Sequence, residues 1–121
     1  MIRLDENSSV PIYQQIYDGL LDLIVKNVLP EGEKLPSVRE LALMLKINPN
    51  TIQKAYKALE KDGYIESKKG KGNFVAEHDN FMSSYRTELL SKLEEVLEEL
   101  VGLGDSKEDI KGKIMEILEG L

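Results

Sequence analysis

The sequence predicts a mainly α-helical protein with a small β wing, and three observations support this fold class. Apolar residues recur every three or four positions in five stretches of the chain. Two helix-start signals, at Ser37 and Asn48, are separated by a stretch long enough for one short helix. Two β-prone runs flank a loop of lysine and glycine at residues 68–72. The expected order is three helices, a hairpin and two further helices.

The first helix is predicted within SSVPIYQQIYDGLLDLIVKNVL, residues 8–29. Ser9 is a candidate N-cap, and Pro11 stands near the first helical position, where its missing N–H costs nothing. Tyr13 and Tyr17 are interpreted as packing residues. The apolar stripe expected on the buried face consists of Ile12, Ile16, Leu20, Leu23 and Val28.

The second and third helices are predicted to form a helix-turn-helix. Ser37 and Glu40 have the spacing of a capping box at the start of LPSVRELALML. The third helix, about residues 48–62, begins at Asn48-Pro49, because an asparagine cap followed by proline favours helix initiation. Its expected inner face consists of Ile52, Ala55, Tyr56 and Leu59. The turn between the two helices is only a few residues long, as that motif requires.

The stretch YIESKKGKGNFVAE, residues 64–77, predicts a β-hairpin whose wing covers about residues 67–74. A helix-turn-helix followed by such a hairpin is a winged helix-turn-helix. We therefore predict one domain at residues 1–78. Residues 79–121 form a C-terminal tail of two amphipathic helices, whose apolar stripes need something to cover them.

The composition excludes several classes of protein. The chain has no cysteine and a single histidine, His78, so a disulfide framework, a thiolate zinc site and a multi-histidine metal site are excluded. No cluster of nucleophile and base remains, so we expect neither an enzyme nor a cofactor. There is no basic-then-apolar leader, and the most apolar run carries Asp22 and Lys26. We expect a cytoplasmic protein without a membrane segment.

Charge is distributed unevenly along the chain, although its net value is -6. Residues 1–33 hold 2 basic and 6 acidic residues, and residues 73–121 hold 5 basic and 12 acidic residues. Residues 34–72 hold 9 basic and 4 acidic residues, a net charge of +5. A basic segment in an acidic chain indicates a polyanionic partner.

The solvent side of the third helix carries amide, hydroxyl and ammonium groups. Asparagine and glutamine can bind adenine edges, lysine can reach guanine or phosphate, and a threonine methyl can contact a thymine methyl. Arg39 and Lys34 lie at or before the second helix, and the lysines of the wing could follow a nucleic-acid backbone. A lysine-rich face alone is usually only solvated, but its position after a capped helix and a tight turn favours DNA binding.

Three stretches of the chain carry a family resemblance. The segments PIYQQIYDGLLDLI, EGEKLPSVRELALML and INPNTIQKAYKALEKDGYIESKKGKGNFV, with the two-helix tail, resemble the GntR family of bacterial transcription regulators, in particular its small YtrA-type branch. The resemblance implies a winged-helix homodimer that binds a double-stranded DNA operator and usually represses it. Relatives with larger effector domains carry arginines where this chain has Pro49 and Gln53, so the operator sequence is not transferable.

The resemblance also implies roles for residues. Arg39 contacts DNA, the start of the recognition helix reads bases, and the wing tip meets the minor groove. The full set of predicted DNA-binding residues is Lys34, Ser37, Arg39, Asn48, Asn50, Thr51, Gln53, Lys54, Lys57, Lys69, Gly70 and Lys71. The resemblance implies that the tail mediates dimerisation. The residues predicted for this contact are Phe81, Tyr85, Leu89, Leu93, Val96, Leu97 and Leu100. About 42 residues follow Asp79, too few for an enclosed pocket, so no small-molecule effector is expected.

The sequence therefore predicts a homodimeric DNA-binding regulator. Two recognition helices about one DNA turn apart, roughly 34–36 Å, require an inverted-repeat operator. An alternative from another class is a winged-helix adaptor for protein partners, which would bind no duplex at low salt. An enzyme is the least favoured interpretation.

Overall fold

The computed structural model describes residues 2–121, and these form five α-helices and one two-stranded antiparallel sheet. The elements are α1 (Ile12–Val25), α2 (Val38–Leu45), α3 (Pro49–Lys61), β1 (Ile65–Lys68), β2 (Gly72–Val75), α4 (His78–Gly102) and α5 (Lys107–Glu119). The predicted fold, mainly helical with a β wing, is confirmed. The chain divides into two compact units, Met1–Met82 and Ser83–Leu121. Within the described part of the chain, no helix is long and apolar enough to cross a membrane.

Helix α1 buries Ile16, Leu20 and Ile24, which repeat every four residues and so lie on one face. The predicted stripe was wrong at Val28, which is 62% exposed because the helix ends before it. The predicted N-cap was also wrong. Pro11 occupies the cap position, and no side chain caps the helix there.

A glutamine of α1 binds the segment that precedes the helix. The Gln15 side-chain oxygen accepts a hydrogen bond from the Asp5 N–H at 2.8 Å, and its Nε2 donates to the Asp5 and Val10 carbonyls, each at 2.9 Å. The side chain of Ile2 lies so close to Gly19 that an added Cβ would come within 3.0 Å of it. The N-terminal segment is therefore held against α1.

Helices α2 and α3 begin as the sequence predicts. The Ser37 hydroxyl accepts a hydrogen bond from the Glu40 N–H at 3.1 Å, and the Glu40 carboxylate accepts one from the Ser37 N–H, which completes the capping box. Asn48 caps α3 by accepting from the Asn50 N–H at 2.8 Å. Between the helices, Lys46 adopts a left-handed conformation (φ 57°) that ends α2 and makes the turn.

Helix α3 lies at the centre of the first unit, in contact with α1, α2 and β1. The four apolar residues predicted for its inner face are buried. One of them, Tyr56, donates its hydroxyl to the Pro36 carbonyl at 2.7 Å, which ties α3 to the start of α2. Burial, with a smaller contribution from the Glu40 charge, raises the pKa of Tyr56 well above its usual value.

The hairpin pairs Ile65 with Val75 and Lys68 with Gly72 across an antiparallel ladder. Its turn passes through Gly70 at φ 75°, a conformation that favours glycine. The segment of residues 32–35 lies along the other edge of β2, which the sequence did not predict. Backbone hydrogen bonds of 2.8–2.9 Å join Gly32 and Glu33 to Val75, and Leu35 to Asn73. The wing is thereby anchored on both sides of β2.

Helix α4 begins in the first unit and continues into the second. Phe81 is buried in the first unit, where its ring meets the Tyr64 ring edge-on at 5.3 Å between centroids. The division between the compact units thus follows Met82, four residues beyond the end of the predicted first domain. Because its side chain is buried in its own unit, Phe81 is not available for the predicted dimer contact.

The second unit buries little apolar surface of its own. Among its described residues only Ile110 is buried. Leu97, Val101 and Ile114 line a cleft beside Ile110, and Leu100 lines a neighbouring cleft with Ile117. Ser106 caps α5, because its hydroxyl accepts a hydrogen bond from the Asp109 N–H at 3.1 Å.

Candidate nucleic-acid interface

The first turns of α3 present polar side chains to solvent because its apolar face is fixed in the core. Asn50, Gln53 and Lys57 are exposed, and Thr51 is half-buried. The Asn48 side chain is also exposed, but its oxygen accepts the capping hydrogen bond. The capping hydrogen bond uses one of the two acceptor positions of that oxygen and orients the Asn48 amide toward the helix start. Asn50 and Gln53 are the exposed amides best placed for bidentate binding of an adenine edge.

Lys54 lies on the side of α3 that approaches α1. Its Nζ stands 3.8 Å from the centroid of the Tyr13 ring, a close cation–π contact. Lys54 remains exposed and Tyr13 is half-buried, so the ammonium stays at the surface. The interpretation of Tyr13 as a packing residue missed this contact. No local signal could have revealed it, because the two residues belong to different helices far apart in the chain.

Arg39 is the second residue of α2 and is exposed. It lines a shallow surface groove together with Lys46 and Pro49, the first residue of α3. Arg39 therefore lies near the N-terminal end of α3. Ser37, one residue before α2, has its hydroxyl engaged in the capping box, so its capping role is the one that the geometry supports.

The wing brings together cations from two parts of the sequence. Lys69, Gly70 and Lys71 are exposed at the tip of the hairpin. Lys34 reaches the base of the wing through the unpredicted pairing beside β2, and a Cβ added to Gly72 would come within 3.0 Å of the Lys34 Cε. Lys34 and the wing lysines therefore belong to one surface, although α2 and α3 separate them in sequence.

The positive charge of residues 34–72 is not neutralised by ion pairs. Over the described residues 2–121, the ion pairs are Lys26–Asp22 and Lys113–Glu116, and both lie outside this segment. All nine cations of this segment are exposed, and none of them has a carboxylate partner among the described residues. Two of them, Lys54 and Lys68, lie over the rings of Tyr13 and Phe74. Cations without carboxylate partners and the N-terminus of a helix suit phosphate oxygens. The exposed carboxamides beside them suit base edges.

Comparison with known proteins identifies the family. The family model "Bacterial regulatory proteins, gntR family" matches residues 12–75, which is more than half of the chain and covers the helix-turn-helix and the wing. The HTH-type transcriptional repressor YtrA of Bacillus subtilis is 49% identical over 78 residues, which are 64% of this chain and 60% of that protein. The chain thus matches less than two thirds of the length of this relative.

Solved structures also resemble the chain. A transcriptional regulator from Oenococcus oeni has 38% sequence identity and a TM-score of 0.82, over 95% of this chain and 97% of that one. AraR(DBD), solved in complex with operator ORR3, has 28% identity and a TM-score of 0.55, over 61% of this chain and 89% of that one. The predicted resemblance is confirmed: the chain belongs to the gntR family of bacterial regulatory proteins.

Proposed function

We propose that the chain is a transcriptional regulator that binds an inverted-repeat DNA operator as a homodimer and represses transcription. The observation that carries the proposal is the exposed amide and cationic face of α3, which lies beside Arg39 and is free of carboxylate partners. Two named relatives support it, since YtrA is a transcriptional repressor and AraR(DBD) was solved with its operator. A regulator of this kind acts in the cytoplasm.

In the proposed complex, the first turns of α3 enter the major groove. Asn50 and Gln53 are the candidates for bidentate contacts to adenine, and Arg39 binds a guanine or a phosphate with its planar guanidinium. The wing tip lies along the backbone or the minor groove. The cations proposed to neutralise phosphates are Lys34, Lys54, Lys57, Lys69 and Lys71.

The second unit supplies the proposed dimer contact, because it leaves large apolar side chains in water. Leu89, Leu93 and Val96 are about half exposed, and they repeat at three- and four-residue spacing along one face of α4. Leu97 and Leu100 line clefts with residues of α5, so their primary contacts are within their own unit. Two-helix units of this size rarely bury enough apolar surface alone, and a second copy would cover it.

A selection from a random pool of DNA duplexes, with the purified full chain, tests the proposal. We expect the recovered sequences to contain an inverted repeat with half-sites one DNA turn apart. Affinity for that repeat should fall steeply as salt increases, because bound phosphates release counterions. Failure to enrich any sequence, with no duplex binding at low salt, would contradict the proposal.

A further inference from the structure

The contact between Lys54 and Tyr13 joins the proposed DNA-binding face to a helix that carries no DNA contact in the proposal. Lys54 lies between Ile52 and Ala55, both fully buried, so its backbone is fixed within the core of the first unit. Tyr13 lies in the first turn of α1, and α1 packs directly against α3. The ammonium is thus held between two rigid elements.

We propose that Tyr13 is a positioning residue for the DNA interface, because its ring holds the Lys54 ammonium in one orientation at the edge of α3. The inference rests on the proposed operator binding and assigns a role outside the helix-turn-helix and the wing. Tyr13 acts through Lys54 and need not contact DNA.

The physical reason is the flexibility of lysine. A lysine side chain has several rotatable bonds and loses rotamer freedom when it makes a contact with a partner. The ring contact at 3.8 Å restricts Lys54 before DNA arrives. An ammonium has three N–H donors, and a ring on one side leaves donors for an acceptor on the other side. Part of the ordering that a contact to DNA requires is then already present in the unbound protein.

A second tyrosine of α1 offers a matched control. Tyr17 lies one helical turn after Tyr13, and its hydroxyl donates a hydrogen bond to the Asp62 carboxylate at the C-terminal end of α3. Both tyrosines therefore bridge α1 and α3, but Tyr17 does so at the end of α3 that is remote from the proposed major-groove contacts. Loss of Tyr17 should affect folding stability without any dependence on Lys54.

The experiment is a double-mutant cycle in the full chain, with affinity for the selected operator as its measurement. We expect Tyr13→Leu to weaken binding by about two- to fivefold and Tyr13→Phe, which keeps the ring, to leave it unchanged. In a Lys54→Met background, Tyr13→Leu should cause no further loss, whereas any effect of Tyr17→Leu should be the same in both backgrounds. Urea unfolding of each variant separates loss of binding from loss of fold.

One measurement requires no variant. The Lys54 methylene protons nearest the ammonium should show an upfield ring-current shift in the NMR spectrum of the free wild-type chain. Unshifted resonances would overturn the inference, as would equal losses for Tyr13→Phe and Tyr13→Leu, or an undiminished loss in the Lys54→Met background. If the wild-type chain binds no duplex, the proposed function itself fails. If the chain binds the operator but the cycle shows no coupling between positions 13 and 54, only the positioning role of Tyr13 is contradicted.

Discussion

At the scale of single residues, Arg39 offers the sharpest test of the proposed interface. It is exposed, lies near the start of α3, and makes no ion pair within the described residues. We expect Arg39→Ala to weaken operator binding by about 1–3 kcal/mol, since alanine cannot replace the planar guanidinium that binds a base or phosphate. A fluorescence-anisotropy titration with the selected operator measures the change.

Arg3→Ala is the matched control for that prediction. It removes the same positive charge from an exposed position in the N-terminal segment, outside the proposed interface. Both variants change the net charge equally, so a non-specific effect of charge would weaken both alike. Equal affinities of the two variants would contradict the role of Arg39.

A second residue-scale prediction concerns Tyr56, whose hydroxyl donates to the Pro36 carbonyl within the core. Tyr56→Phe leaves that carbonyl without its partner, and we expect the free energy of unfolding to fall by about 1 kcal/mol. Urea unfolding at neutral pH measures the difference. A variant as stable as the wild type would show that water or another donor replaces the missing hydrogen bond.

The raised pKa of Tyr56 predicts how that difference depends on pH. Above about pH 10 the unfolded chain releases the phenolic proton, whereas the folded chain retains it because the buried phenolate is disfavoured. Folding is therefore opposed progressively as pH rises, by up to about 1.4 kcal/mol for each pH unit. The wild type should lose stability more steeply than Tyr56→Phe between pH 10 and 11. Parallel curves would contradict the predicted shift.

At the scale of elements, the wing is expected to contribute charge more than base recognition. Lys69 and Lys71 lie exposed on either side of Gly70, at the tip of the hairpin. We expect replacement of both lysines by alanine to weaken binding to all duplexes similarly. The slope of log K against log salt concentration should become shallower by about 2, or roughly 0.9 for each phosphate that the variant no longer neutralises.

A double variant of α5, Lys107→Ala with Lys111→Ala, controls for that measurement. It removes two exposed lysines from the second unit, where no DNA contact is proposed. The salt slope should remain that of the wild type. An unchanged slope in the wing variant would mean that the hairpin does not neutralise phosphates.

At the scale of the whole molecule, we expect dimerisation to depend on the apolar face of α4. Leu93 is 47% exposed, so a glutamate there should leave the protomer folded but place a charge in the proposed dimer contact. Sedimentation should show that Leu93→Glu forms monomers and that its operator affinity falls, since the two half-sites are no longer bound together.

Ser91→Glu adds the same charge to α4 on roughly the opposite side of the helix, as the 3.6-residue period requires. This variant should sediment as a dimer and bind the operator as the wild type does. A dimeric Leu93→Glu variant would contradict the assignment of this face.

Local signals in the sequence determined the helix starts, the hairpin and the buried face of α3. The capping box at Ser37, the cap at Asn48 and the hairpin with its lysine-glycine loop at residues 68–72 were predicted correctly, because each depends on hydrogen bonds or dihedral angles within a few residues. The apolar period located the buried face of α3 for the same reason, and the basic surplus of residues 34–72 follows from composition alone.

The tertiary structure decided which faces of distant elements meet. Three contacts join residues that are distant in sequence: the pairing of residues 32–35 with β2, the burial of Phe81 against Tyr64 and the contact of Lys54 with the Tyr13 ring. No periodicity within a segment specifies its partner. An apolar stripe shows that a side chain needs cover but not which surface covers it. For this reason the sequence assigned Phe81 to a partner chain, whereas the folded protomer buries it in its own core.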